Sequence, residues 1–375
     1  MAQRLRLVAG GLLACAAILL LGQCVALDPG LRNGTSAADR AMAAFNRAFL
    51  TGAAGVGNYR ANTAGGWADF WKEAEMIEMA EDAYQRAGSP AYLRLVVELH
   101  DGFVLRFGSD WSLNAYNDDI IWMCLACIRA YELTGNTGFL NQAKANFDRV
   151  WSRGFDGTLG GGLWWNTSRG EKNTCITMPA AIMAYKLSVD LGDPSYLEKA
   201  RALLAWQKDN LYDKATGRVY DNERRDGVVD RTAYTYNAGT FIGAASFLGD
   251  VASARKALDY AREHLTVDGI LKSEHATHDQ GGFKGIFCRW AYRFVRDEGL
   301  GSQYDPWFQR NVDAALARQD SRGLMDQDWS AATGSGILDS WSCSSAVVLL
   351  QVTGVAETIV DLWPAEPPAG RPAHR

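Results

Sequence analysis

Asp118 and Asp119 stand side by side in YNDDIIW, at the head of an apolar stretch. Two carboxylates held close resist ionising together, so one keeps its proton to higher pH. Such a pair can divide the labour of retaining glycoside hydrolysis. One member stays protonated as general acid and the other stays anionic as nucleophile, with the carboxyls ~5–5.5 Å apart. On a helix, adjacent positions diverge by about 100°, so these side chains are not stacked yet can lie several ångström apart. The same residues also suit a helix N-cap with an acidic first turn, and the pair alone does not separate the two readings.

The elements that would carry the pair are helical. Apolar residues recur every three or four positions through most of the chain. In AEMIEMAEDAYQRAG, Met76, Ala80 and Tyr84 repeat every four, with the acids on the other face. Strand signals are scarce, apart from a possible hairpin at 218–230. A repeat unit recurs, in which a small-residue-rich apolar helix, a turn and an amphipathic helix follow one another. The apolar helices are expected to start near 69, 118, 173, 236, 284 and 340. Amphipathic partners follow five of them, and the stretch 37–50 supplies the sixth. A helix apolar all round is buried and one with a polar face lies outside. Six inner and six outer helices give an all-α, (α/α)6 toroid. The competing arrangement, an open solenoid of helix pairs, has more regular spacing than these intervals.

If the inner helices share a direction, their N-terminal ends meet at one mouth. Trp67, Asp69, Asn117, Tyr236, Asn237, Lys284 and Trp341 fall there, with Asn173, Tyr234 and Phe283 among their neighbours. Gly160-Gly161-Gly162 allows close backbone approach and is followed by Trp164 and Trp165; Asp279-Gln280 precedes the fifth inner helix in a similar way. Aromatic faces beside carboxylates and amides suit sugars, which offer C–H faces for stacking and hydroxyls for charge-assisted hydrogen bonds.

YNDDIIW, RAYELTGN, LGGGLWWN, TYNAGTFIGA (235–244), GGFKGIFCRW (281–290) and Asp328-Trp329-Ser330 occur in that order over about residues 60–350. In this the chain resembles glycoside hydrolase family 76, the endo-acting α-1,6-mannanases. The resemblance implies an (α/α)6 barrel, retaining hydrolysis of α-1,6-linked mannan or manno-oligosaccharides, and neither metal nor cofactor. It implies Asp118 as nucleophile and Asp119 as acid/base. Trp164, Trp165, Tyr236 and Asn237 fall in its cleft motifs, and Trp329 in a later one.

Composition bounds the alternatives. The 375 residues carry 38 basic against 43 acidic side chains, a net charge of −5, and lack the basic face that nucleic acids need. Aromatic residues are abundant, with 13 Trp, 14 Tyr and 14 Phe. Of the Trp, 67, 164, 165, 329 and 341 are expected beside the site, and 122, 151, 206 and 290 in packing. Residues 1–26 read as a secretory signal peptide, 35–363 as one catalytic domain and 364–375 as a disordered Pro-rich tail. The protein is expected outside the cell (or in a periplasm), off the membrane once the signal is removed, as a monomer. Cys124 and Cys127 form a C-x-x-C with no partner set for a metal, so buried thiols are expected. A cell-wall mannan transglycosidase and a non-catalytic glycan-binding toroid share the fold; the non-apolar C-terminus argues against the first, and the two aspartates against the second. A terpene cyclase needs a different Asp-rich motif from N-D-D-I-I-W. Sugar epimerases of this fold lean on histidines, and none of the five here falls at an inner-helix start.

Overall fold

The structure is a computed structural model that describes residues 36–354, except 54 and 275–277. The expected signal peptide, tail, domain limits and His275 lie outside the described residues.

Among the described residues there are twelve α-helices: α1 (Ala37–Phe49), α2 (Phe70–Ala87), α3 (Pro90–Phe107), α4 (Asn117–Thr134), α5 (Thr137–Gly154) and α6 (Thr174–Leu191), then α7 (Pro194–Asn210), α8 (Thr235–Phe247), α9 (Val251–His264), α10 (Phe283–Asp297), α11 (Gly301–Leu316) and α12 (Ser340–Thr353). The even-numbered helices pack each on the next, and α12 returns to pack on α2. That closed inner ring makes the molecule an (α/α)6 toroid and not an open solenoid. The front helix α1 packs on α12, so the first outer helix completes the last pair, as the repeat implied. Each inner start falls within one residue of its expected position.

Local chemistry sets the connections. Inner helices α2, α4 and α6 end on Gly88, Gly135 and Gly192, all in the left-handed conformation, which glycine adopts without steric cost. Outer helices start at once, α3 and α7 with proline at the first turn and α5 capped by Asn136. These inner-to-outer turns are two or three residues long. The outer-to-inner links are much longer, and they gather at the end where the inner helices begin. They carry short antiparallel ladders: β1 (Leu50–Ala53) with β2 (Val56–Tyr59), and β6 (Thr266–Val267) with β7 (Ile270–Leu271). The expected hairpin at 218–230 is present as β4 (Asn222–Arg224) and β5 (Val229–Asp230), with β3 (Glu171–Asn173) added on its other edge.

One sequence expectation needs correcting. The acids of α2 do not face solvent. Glu75, Glu78, Glu81 and Asp82 are all buried and point into the barrel, because α2 is an inner helix with no outer face. Their partners are two buried arginines on other inner helices. Arg129 of α4 reaches Glu78 at 2.7 Å, Glu81 at 3.2 Å and Asp82 at 2.6 Å. Arg289 of α10 reaches Glu75 at 2.6 Å and Asp82 at 2.8 Å. Four acids against two arginines leave negative charge in excess in a dry place. Burial accordingly pushes Glu75 up to about 8 and Glu81 well above the carboxylate range. Cys124, Cys127, Cys175, Cys288 and Cys343 are all buried, unpaired and on inner helices.

Candidate active site

The inner-helix starts surround a cavity of about 640 Å³, within the usual span of ligand sites. Asp118 and Asp119 lie on its wall in the first turn of α4. Tyr116 is the N-cap and gives no side-chain cap, and each carboxylate takes a side-chain partner from outside the helix. Asp118 Oδ2 accepts from Trp165 Nε1 at 2.8 Å and from Cys175 Sγ at 3.6 Å. Asp119 Oδ2 accepts from Asn114 Nδ2, on the loop before α4, at 3.0 Å.

Both acids are held above the ordinary aspartate range. Asp118 rises to about 8, chiefly through burial and then through the charge of Asp119, against the Trp165 N–H. Asp119 rises to about 6, again chiefly through burial, with Asp69 and Asp279 adding to it and Asn114 and Lys72 opposing. The two titrate as a pair, so near neutral pH the site holds one proton and one negative charge. The higher value at Asp118 alone would leave the proton there. The contacts point the other way: two donors on Asp118 are the surroundings of an anion, and Asp119 has one.

The walls divide by chemistry. Aromatic rings come from Trp71, Tyr116, Trp122, Trp165, Tyr236 and Phe283. Tyr116 packs on Trp165 at 5.2 Å, and Tyr236 stacks on Phe283 at 3.7 Å. Further acceptors come from Asp69, Glu171, Asn173, Asp221 and Asp279. Lys72, at the start of α2, bridges Asp69 at 2.9 Å and Asp279 at 3.1 Å, tying two sides of the rim together. Among the described residues no three His, Cys, Asp or Glu side chains gather to hold a metal ion.

Of the twelve residues given site roles in the sequence, Asp69, Asp118, Asp119, Trp165 and Tyr236 come together on this wall, joined by the neighbours Asn173, Tyr234, Asp279, Gln280 and Phe283. The other seven do not. Asn117 is buried beneath it, donating to the Trp164 carbonyl at 2.7 Å, while its backbone N–H donates to the Trp165 carbonyl at 2.8 Å. Trp164 turns inward, donating to Asp156 at 2.7 Å with the buried Lys172 ammonium against its ring. Asn237 donates to Asp221 at 2.8 Å and so sets a wall residue. Lys284 is buried over the Trp329 ring at 3.8 Å and donates to the Gln327 carbonyl. Trp329 is therefore packing. Trp341 donates to the Asp279 carbonyl at 2.8 Å and meets Trp71 edge-on, supporting the rim from behind. Trp67 is 57% exposed and packs on Arg106, outside the cavity.

The expectation that five Trp flank the site is thus corrected. Trp71, Trp122 and Trp165 line it. Trp122, expected in packing, was findable: it lies four residues after Asp118 and three after Asp119, on the helix face they share. Cys175 and Trp71 sit one residue inside helix starts. Asp221 reaches the wall through the β3–β4 pairing, a long-range event with no local signal.

The triple glycine explains why Trp164 and Trp165 diverge. Gly160, Gly161 and Gly162 have φ of 79°, 133° and 72°, where side chains are strained. A Cβ on Gly162 would come within 2.5 Å of the Trp206 ring. The tight turn against α7 then delivers Trp165 to Asp118.

Three comparisons bear on this arrangement. The family model of glycosyl hydrolase family 76 matches residues 32–358. The structure of an α-1,6-mannanase from a Salegentibacter species is similar, with TM-score 0.79 and 29% identity over 85% of this chain and 98% of that one. An inactive variant of that mannanase in complex with α-1,6-mannotriose matches at TM-score 0.78 and 28% identity, covering 84% and 98%. The Saccharomyces cerevisiae protein named mannan endo-1,6-alpha-mannosidase DFG5 is 26% identical over 253 residues, 58% of this chain and 54% of its own length. The chain thus spans little more than half of that curated relative. No described helix is long and apolar enough to cross a membrane.

Proposed function

The chain belongs to glycosyl hydrolase family 76, and from that premise we propose that it is a retaining, endo-acting hydrolase of α-1,6-linked mannan. One observation carries the reading: two adjacent carboxyls, both raised above the ordinary aspartate range by burial, stand on the wall of an aromatic-lined cavity of about 640 Å³. The similar Salegentibacter mannanase, in complex with α-1,6-mannotriose, supports the substrate class. The apolar N-terminal stretch behind Arg4 and Arg6 supports export from the cell.

In this reading Asp118 attacks the anomeric carbon of a mannosyl residue. The bond from that carbon to O6 of the next sugar breaks, and the Asp119 proton passes to the departing oxygen. Asp119, now a carboxylate, takes a proton from water. The resulting hydroxide equivalent displaces Asp118 and restores both groups. Trp165 holds the attacking carboxylate by its indole N–H. Trp71, Tyr236 and Phe283 offer faces for the sugar rings, and Asp69, Glu171 and Asp221 offer acceptors for hydroxyls.

The test is digestion of a linear α-1,6-mannan, with product lengths followed over time. The wild type is expected to release manno-oligosaccharides of several lengths early. Asp118→Asn and Asp119→Asn, each checked for folding by circular dichroism, are expected to lose activity by about 10³-fold or more, the scale on which essential catalytic groups act. Full activity in either variant contradicts the assignment.

A further inference from the structure

The proposed reaction uses Asp118, but nothing in it uses the thiol beside it. Cys175 is the second residue of α6, buried, and on the cavity wall. Its sulfur lies 3.6 Å from Asp118 Oδ2, the oxygen that also receives the Trp165 indole N–H at 2.8 Å. Asp118 Oδ1 is buried and makes no hydrogen bond. Both side-chain donors therefore converge on one oxygen.

We propose that Cys175 is a positioning residue for the nucleophile: its S–H and the Trp165 N–H form a two-point clamp on Oδ2 that fixes the Asp118 carboxylate at the cavity wall. The inference rests on the hydrolase reading above and adds a residue to it. A thiol serves this purpose only while it keeps its proton. Burial pushes the Cys175 thiol well above its usual range, with the charge of Asp118 next in effect, so it remains a donor across the working pH. A weak S–H donor also steadies a carboxylate without capturing the charge that the attack needs. The clamp joins three elements, since Trp165 comes from the loop before β3, Cys175 from α6 and Asp118 from α4.

The charged and titratable groups around Asp118 are few. Asp119 stands beside it on α4, and Tyr236 on α8 and Asp221 before β4 act on the Cys175–Asp118 contact from the other side. Lys72, Asp69 and Asp279 act on Asp119 across the cavity.

The test compares Cys175→Ala and Cys175→Ser with the wild type on α-1,6-mannan, as full pH–rate profiles. Cys175→Ala removes one donor, and kcat should fall about three- to tenfold, as for loss of one modest hydrogen bond. The acid limb of its profile should move to higher pH, because an anion with fewer donors binds its proton more tightly. Cys175→Ser keeps a donor and should recover most of the rate and return the limb towards its wild-type position. A vacated pocket by itself moves neither limb. An unchanged profile in Cys175→Ala, or equal damage in Cys175→Ser, overturns the proposal. Infrared spectra of the intact protein provide a second readout that does not depend on these variants. The S–H stretch of a thiol donating to a carboxylate shifts to lower frequency, and that component should disappear in Asp118→Ala, which removes the acceptor; if it persists, the clamp is wrong. If Asp118→Asn retains activity, the hydrolase reading fails first; if it is inactive while Cys175→Ala is normal, only the clamp fails.

Discussion

Asp118 and Asp119 were legible as a pair but not as a tuned pair. Adjacency gave the argument that one must hold a proton, and the structure supplies the reason, a buried setting with few donors. The pH dependence follows. Below about 6 both carboxyls are protonated and no nucleophile is left; above about 8 both are ionised and no acid is left. Activity should therefore be bell-shaped with its plateau between those values, as initial rates on mannan over pH 4–10 will show. Stability carries the same signature. Both groups bind protons more tightly folded than unfolded, where aspartate titrates near 3.9. Their contribution is fully present below about pH 4 and is lost as pH rises through 6 and 8. An amide in place of either carboxyl escapes that loss. Asp118→Asn should thus melt higher than the wild type at pH 9, and the gap should shrink at pH 5. A wild type that gains stability from pH 5 to 9 relative to the variant contradicts the buried-pair account.

At the scale of elements, the inner helices declared themselves by composition, and α2 shows where that signal runs out. Glu75, Glu78, Glu81 and Asp82 read as a separate polar face because an isolated helix must put them in water. Only the barrel brings Arg129 and Arg289 to them, from helices far along the chain. Removing one partner from such a network leaves buried charge uncompensated. Arg289→Met should cost about 3–5 kcal/mol by urea unfolding, although the residue is not on the cavity wall. The loop between α5 and α6 makes a different demand. Gly162 must hold a positive φ against the Trp206 ring, so Gly162→Ala should destabilise by about 1–3 kcal/mol. It should also lower kcat by moving Trp165 off Asp118, and equal kcat and melting temperature in the variant would show that the turn does not place the indole. The sequence showed that three glycines precede two tryptophans. It did not show that Trp164 turns inward to Asp156 while Trp165 turns to Asp118, because opposite faces of a loop have no periodicity to reveal them.

For the whole molecule, the helix count, the alternation and the end that carries the site were all readable, since each depends on local apolar patterning. Ring closure was inferred from unequal intervals and is seen in the contact of α12 with α2. The wall itself was half readable. Residues at helix starts, such as Asp69 and Tyr236, were found. Those delivered by pairing of distant loops, such as Asp221, were not. Aromatic abundance misled at Trp164, Trp329 and Trp341, which back the rim from inside the protein. Among the described residues the long links ring the cavity at the inner-helix starts, and in the proposed reading a polymer lies across that mouth with the acids against the middle of its length. That geometry underlies the central claim, cleavage within an α-1,6-mannan chain with the anomeric configuration kept. The most direct measurement is proton NMR of the first products released from linear α-1,6-mannan, before mutarotation. The account predicts manno-oligosaccharides whose new reducing ends appear first as the α-anomer. First appearance of the β-anomer, or release of mannose alone, would contradict it.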